Sequence, residues 1–234
     1  MQLFYNPDLT KNSSQIKFDK DESRHIIKVL RKSIGDVLYI TNGKGLLFTS
    51  TIIEDHLKQC AAKITNIEFK ARPKYQLHLA VAPTKMNDRY EWFLEKATEI
   101  GVAEITPILC EHSERNRIKL ERYDKIIQSA LKQSLQYYLP KLNAPINFKQ
   151  FINQEFPNQK FIAHCEEFNK QSIKQVLQPN NDVIILIGPE GDFSVKEIEI
   201  AIKNNFIPVT LGETRLRTET AAIVACHSVA YVNE

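Results

Sequence analysis

Residues 183–229 read VIILIGPEGDFSVKEIEIAIKNNFIPVTLGETRLRTETAAIVACHSV, and they decide the fold because they hold two successive units of apolar strand, polar loop and helix. Residues 183–187 form a continuous aliphatic, mostly β-branched run, as in a central strand buried on both faces. Gly188-Pro189-Glu190-Gly191 then turns the chain, and Ser194 with Glu197 three residues later makes a capping box for a helix carrying Val195, Ile198 and Ile202. Residues 207–211 are the second strand, 212–217 the second loop, and a helix opens at Thr218. Three of the 7 glycines, Gly188, Gly191 and Gly212, fall in these two loops. Glycine admits positive φ and close backbone approach, so strand-end loops of this kind are where an α/β sheet would hold a ligand.

The loops also say what that ligand is not. Neither GxxxxGK[ST] nor GxGxxG is present, Lys196 lies inside the helix, and Glu190 at the loop tip would repel phosphate. A neutral or cationic ligand fits better. Arg215 and Arg217, just before a helix N-terminus whose dipole favours anions, place a site for negative charge beside it. The last helix, TETAAIVACHSVAYV, is apolar nearly all round, which predicts burial in its own subunit or against another.

Upstream, the same alternation predicts strands at 77–82, 105–109 and 160–165, with helices at 86–100 and 118–139. In the first helix Trp92, Phe93, Lys96 and Ile100 track around one side, with Trp92 and Phe93 expected in the core. In the second, Ile126, Ile127, Ala130, Leu131, Ser134 and Leu135 make an apolar stripe ended by Pro140. Strands separated by helices imply a mostly parallel sheet covered on both faces.

Residues 1–70 differ in texture. An apolar run at 3–5, a short helix at 23–32 and strands at 36–41, 46–53 and 60–69 suggest a small β-barrel, with Asn42-Gly43 marking a type I′ hairpin. Residues 70–74, KARPK, are read as a linker between domains 1–70 and 75–234. Arg24, His25, Lys28, Arg31 and Lys32 occur in nine residues without an acid, and on a helix 24, 28 and 31 or 32 share one face. That ridge suits a phosphate backbone, although an ordinary solvated cationic face reads the same, and His25 alone fits a structural role better than a catalytic one.

Composition sets outer limits. A chain of 234 residues with 43% hydrophobic content and a net charge of +3 is a folded protein that permits a polyanionic partner without demanding one. No run approaches the roughly 18 apolar residues of a membrane span, and the start lacks a signal-peptide pattern, so the expected location is cytoplasmic. Cys60, Cys110, Cys165 and Cys226 are scattered, with neither a CxxC pair nor clustered histidines; they are expected as buried small hydrophobes and no metal is expected.

LIGPEGDFS at 186–194 followed by LGETRLRTETAA at 211–222 resembles the signature of the RsmE family, bacterial methyltransferases that modify N3 of a uridine in 16S ribosomal RNA with S-adenosylmethionine. HIIKVLRKSIGD at 25–36 resembles that family's PUA-like RNA-binding barrel, and KMNDRYEWFLEKATEIGVAEITPILCEHSERN at 85–116 resembles the opening of its catalytic domain. The resemblance covers nearly the whole chain. It implies a SPOUT-class parallel sheet with helices on both faces and a trefoil knot, a homodimer with the active site near the subunit boundary, and 16S rRNA or the small ribosomal subunit as partner.

Carried over by residue, the resemblance assigns cofactor binding to His164, Ile187, Gly188, Glu190, Gly191, Leu211, Gly212 and Leu216, while Arg24, His25, Lys28 and Arg31 of the basic ridge, with Arg215, are expected to bind RNA. Asp192 stands where the family often has a second glycine, and Thr214 with Arg215 where it often has arginine then an aliphatic residue. Methylation at N3 requires loss of the N3 proton and stabilisation of charge spreading onto O2 and O4. Arg217 is expected to supply that stabilisation, since a guanidinium keeps its charge and donates two parallel hydrogen bonds. Glu190 or Glu219 is left to take the proton or fix Arg217, with Glu219 also explicable as a helix-start residue. The rival readings are a non-catalytic RNA-binding protein acting in ribosome assembly and, less favoured, a nucleotide hydrolase.

Overall fold

The computed structural model describes residues 1–156, 159–167 and 169–234. The chain divides into two units, Met1–Arg72 with Leu131–Leu139, and Pro73–Ala130 with Pro140–Glu234. Residues 131–139 thus group with the first unit, although the 70–74 linker places them after the boundary.

The first unit contains β1 (Leu3–Tyr5), β2 (Gln15–Lys17), α1 (Lys20–Arg24), β3 (Val37–Thr41), β4 (Leu46–Glu54) and β5 (Ala61–Phe69). The strand order is β1-β3-β4-β5-β2, with β1 parallel to β3 and the other pairs antiparallel. Phe4, Phe18, Ile26, Ile40, Phe48 and Ile52 fill its core. The β3–β4 hairpin forms, but not through a type I′ turn: Gly43 and Gly45 take positive φ and Asn42 does not. Instead Asn42 Oδ1 accepts from the Lys44 and Leu46 amides at 2.9 and 3.2 Å, so a side chain supplies the turn's bonds and the connection lengthens.

The basic stretch departs further from expectation. α1 passes into a π-helical turn, His25–Val29, and Arg31 lies past its end in the left-handed region at φ 56°. A π turn carries more residues than an α turn, so the even cationic ridge of a regular helix is not built. Arg24, Lys28 and Arg31 are exposed, Lys32 pairs with Asp36 at 3.6 Å, and His25 packs edge-on to Phe4.

In the second unit, β6 (Leu77–Val81), α2 (Asn87–Ile100) and β7 (Glu104–Leu109) are followed by α3 (Leu120–Gln133), whose last turn belongs to the first unit. β8 (Lys141–Leu142), β9 (Ile146–Asn147), α4 (Phe148–Phe151), β10 (Gln159–Ala163), β11 (Gln171–Ser172) and α5 (Ile173–Val176) come next. β12 (Val183–Ile187), α6 (Val195–Lys203), β13 (Ile207–Thr210) and α7 (Thr218–Asn233) complete the chain.

The sheet is parallel throughout, in the order β11-β13-β10-β12-β6-β7-β8 with β9 beside β7. β12 is buried at all five positions, as its aliphatic run predicts. Ile162, Ile184, Leu186 and Ala80 face Phe148, Phe151, Ile198 and Phe206 on one side of the sheet, while α7 packs on β6, β12 and α2. Ala163, Ile187 and Val81 stand in register, with Val209 beside Ala163, so the carboxyl ends of four strands open at one level.

Two helices differ from their predicted forms. α2 buries Tyr90, Phe93, Leu94, Ala97 and Thr98, a stripe of i, i+3, i+4 and i+7 spacing that excludes Trp92, which is 45% exposed. α3 stops at Gln133 rather than at Pro140, because Leu135 turns left-handed at φ 59° and the Gln136 amide bonds back to Leu131 O. Ile127, Ala130 and Leu131 are buried as predicted, but Leu135 is exposed. α6 buries Ile198 and Ala201 and leaves Val195 and Ile202 outward. Cys60, Cys110 and Cys226 are buried; Cys165 is exposed.

Candidate active site

A cleft of ≈ 640 Å³ lies at the carboxyl ends of β10, β12 and β13. Its walls are the three loops that follow those strands, together with the first turn of α7. In a parallel sheet this end is where the loops converge and where ligands bind, and the size matches small-molecule sites generally. Ile187, Val209, Leu211, Leu216 and Ala221 supply an aliphatic surface, while His164, Glu190, Asp192, Arg215 and Arg217 supply polar and charged groups.

The loop after β12 is held from several directions. The capping box is complete, with Ser194 Oγ accepting from the Glu197 amide at 3.3 Å and Glu197 Oε2 accepting from the Ser194 amide at 2.9 Å. Glu190 Oε1 accepts from the Lys85 amide at 2.9 Å, and Thr218 Oγ1 donates to Gly188 O at 3.1 Å, joining α7 to the loop. Gly188 is needed for compactness: a Cβ there would stand 3.0 Å from the Phe193 ring. Gly212, at φ 154°, keeps the second loop in a backbone shape that side chains resist.

Glu190 Oε2 is buried and has no hydrogen-bond partner among the described residues. A buried acceptor left unmatched is costly, and the Glu190 side chain that carries it belongs to the cleft lining. His164 is 7% exposed, and burial, reinforced by Lys170, holds its imidazole pKa below the usual value against the opposing effect of Asp192. It is therefore a neutral wall residue near neutral pH.

Comparison with known proteins assigns these features to a family. The sequence model of the RNA methyltransferase domain matches residues 71–230, and that of the RNA methyltransferase PUA domain matches residues 18–65. Ribosomal RNA small subunit methyltransferase E of Buchnera aphidicola subsp. Acyrthosiphon pisum (strain APS) is 34% identical, over 96% of this chain and 90% of its own. The chain belongs to the ribosomal RNA small subunit methyltransferase E family. Among solved structures, a probable rRNA-methyltransferase from Porphyromonas gingivalis shares 40% identity at a TM-score of 0.92, over 100% of this chain and 98% of its own. The methyltransferase Lpg2936 of Legionella pneumophila, solved with its cofactor SAM bound, shares 29% identity at a TM-score of 0.88, over 99% and 97%.

In this member of the methyltransferase E family, the structure gathers at the cleft His164, Ile187, Gly188, Glu190, Leu211, Gly212, Arg215, Leu216 and Arg217. Gly191 is not part of the lining; its Cβ position would stand 3.0 Å from His112 Cβ, so its smallness serves packing against that ring. Glu219 also lies off the cleft. It is 8% exposed and pairs with Arg89 at 3.8 Å, whereas among the described residues Arg217 forms no ion pair. Arg24, His25, Lys28 and Arg31 belong to the other unit.

Several neighbours carry no signature in the sequence. Arg115 donates to Thr84 O and Lys85 O, fixing the segment that caps Glu190. His112 Nδ1 donates to Gly191 O and Asp192 O at 3.0 and 3.1 Å; both partners are carbonyls, which sets the tautomer. These residues lie within the 85–116 stretch or just beside the glycine loops, but only side-chain direction in the fold singles them out.

Proposed function

We propose that this protein transfers a methyl group from S-adenosylmethionine to N3 of a uridine in 16S ribosomal RNA. The observation that carries the reading is the cleft itself: three strand-end loops with an aliphatic wall, a carboxylate from Glu190 and two arginines in its lining. Relatives that match over the whole chain are named ribosomal RNA small subunit methyltransferase E, and one solved neighbour holds SAM. Bound there, the cofactor supplies an electrophilic methyl on a sulfonium.

Ile187, Leu211 and Leu216 would hold the adenine against an aliphatic surface, and Gly188 and Gly212 would leave room for the cofactor beside them. Glu190 lines the cleft, with its carboxylate fixed through Oε1 by the Lys85 amide. Arg217, the N-cap residue of α7, is exposed and among the described residues not paired to an acid, so its guanidinium is available to a planar anion. It would stabilise charge on O2 and O4 as the N3 proton leaves. Of the two carboxylates considered for that proton, Glu190 is the one that lines the cleft. The uridine must be unstacked to reach this depth.

The exposed Arg24, Lys28 and Arg31 of the first unit, with His25 beside them, are read as contacts to the RNA backbone, and Arg215 as a further contact at the cleft. The homodimer, the knotted path of the last strands and a cytoplasmic location complete the reading. α7 supports a subunit contact in that His227 and Tyr231 remain exposed while its other side is buried on α2 and the sheet. Calorimetry with S-adenosylmethionine, followed by mass spectrometry of small-subunit rRNA incubated with protein and cofactor, tests the proposal. Heat of binding and one new N3-methyluridine are expected; RNA binding with no heat from the cofactor would favour the non-catalytic ribosome-assembly reading.

A further inference from the structure

The Asp192 backbone sits in the left-handed region, at φ 63°, a conformation that glycine adopts freely and aspartate only at some cost. What the aspartate adds is its carboxylate, and both oxygens are used. Oδ1 accepts from the Phe193 amide at 2.8 Å, fixing the carboxylate over its own turn. Oδ2 accepts from the Cys165 amide at 2.6 Å, across to the loop that follows β10. The same Cys165 peptide region is gripped from the other side, where Lys170 Nζ donates to His164 O and Cys165 O, each at 3.2 Å. Behind the turn, His112 donates to the carbonyls of Gly191 and Asp192 and holds the strained residue in place.

These bonds join two of the three cleft loops. His164, Cys165, Lys170 and Asp192 all line the cleft, so the clasp forms part of the wall itself rather than a support behind it. A wall assembled by charge-assisted bonds in the free protein has little ordering left to do when a ligand enters.

We propose that Asp192, assisted by Lys170, is a cofactor-positioning residue that clasps the loop after β10 to the loop after β12 and so forms the wall of the cleft before S-adenosylmethionine binds. This rests on the cleft being the cofactor site. Asp192 acts through the Cys165 peptide, and it is assigned no part in moving the methyl group or the proton.

The test uses the full chain and two readouts. Hydrogen exchange of the Cys165 amide, measured without cofactor, reports the clasp directly; calorimetry with S-adenosylmethionine reports its consequence. In Asp192→Gly the backbone strain is relieved but the bridge is lost, so the amide should exchange at least ten-fold faster and the cofactor Kd should rise about ten-fold. Its KM for cofactor should rise in step, with kcat at saturating cofactor within about three-fold of the parent. Asp192→Asn, which tolerates the same backbone shape and keeps one acceptor, should fall between, and it carries the test if the glycine variant folds poorly. Lys170→Met should weaken the cofactor by about three-fold. Cofactor affinity within two-fold of the parent in both Asp192 variants would overturn the proposal. A parent protein that gives no heat with the cofactor would overturn the functional reading beneath it, and the exchange measurement would then report the clasp alone.

Discussion

Arg89 Nε lies 3.8 Å from Glu219 Oε1, while Glu219 Oε2 is buried without a hydrogen-bond partner among the described residues. The carboxylate stands in the first turn of α7, where the helix dipole favours it, and Arg89 is its ion-pair partner among the described residues. A charge pair with only its carboxylate buried contributes little net stability, yet removing the half-exposed Arg89 strands the buried Glu219. Arg89→Met should therefore cost about 2 kcal/mol, Glu219→Gln about 1 kcal/mol or less, and the double variant should recover much of the Arg89 loss. Urea unfolding of the four proteins measures the cycle; strictly additive effects would show that the two side chains do not interact.

The role proposed for Arg217 in the chemistry is open to a direct test. Arg217→Ala should lower kcat by at least about 10²-fold, the typical size of a lost oxyanion donor, while cofactor Kd stays within several fold. Arg217→Lys should recover little, since an ammonium cannot make the paired planar contact. Turnover near the parent level in the alanine variant would remove Arg217 from its role.

His78 predicts a stability profile. Burial drives its pKa down to about 4 against an unfolded value of 6.5, with Glu104 opposing and Lys141 assisting. The neutral ring fits its surroundings: Thr106 Oγ1 accepts from Asn143 at 2.7 Å and can donate its own proton to His78 Nε2, also at 2.7 Å. Between about pH 6.5 and 4 the unfolded chain holds the extra proton, so stability falls as pH falls through that window. The loss should be on the order of 2 kcal/mol. Glu104, whose burial is outweighed by bonds from Asn143 and Lys141, has a lowered pKa and adds a loss of the same sign at more acid pH. Thermal melts from pH 7.5 to 4.5 should be visibly flatter in His78→Gln; parallel curves would count against the histidine.

Glu197 is 5% exposed and serves two amides, Ser194 N and Glu111 N, each at 2.9 Å. Glu197→Ala leaves both without a partner and should cost about 2–4 kcal/mol. Ser194→Ala removes only the cap and should cost about 1 kcal/mol. Equal urea midpoints for the two variants would show that the Glu111 contact contributes nothing.

The cations of the first unit predict a salt effect. Replacing Arg24, Lys28 and Arg31 together by alanine should weaken RNA binding and reduce the slope of log K against log salt by about 2. Unchanged affinity would return them to an ordinary solvated surface.

Local pattern was enough for much of this protein. The aliphatic run at 183–187, the Ser194–Glu197 box and the helix opening at Thr218 all appear where spacing places them, because each depends on neighbours a few residues apart. The strand-end loops were legible for the same reason, and Gly188, Gly212 and Arg217 of those loops line the cleft. Tertiary structure decided the rest. Which face of α2 is buried, leaving Trp92 outside, depends on where the sheet lies. α3 ends before Pro140 because Leu135 turns left-handed, and the Asn42 turn is set by a side chain rather than by an Asn-Gly dipeptide. Above all, the bonds from Asp192 to Cys165 and from Arg89 to Glu219 join residues 27 and 130 positions apart. Contacts of that span follow from strand order and register, which place distant carboxyl ends side by side, and no local period in the sequence encodes them.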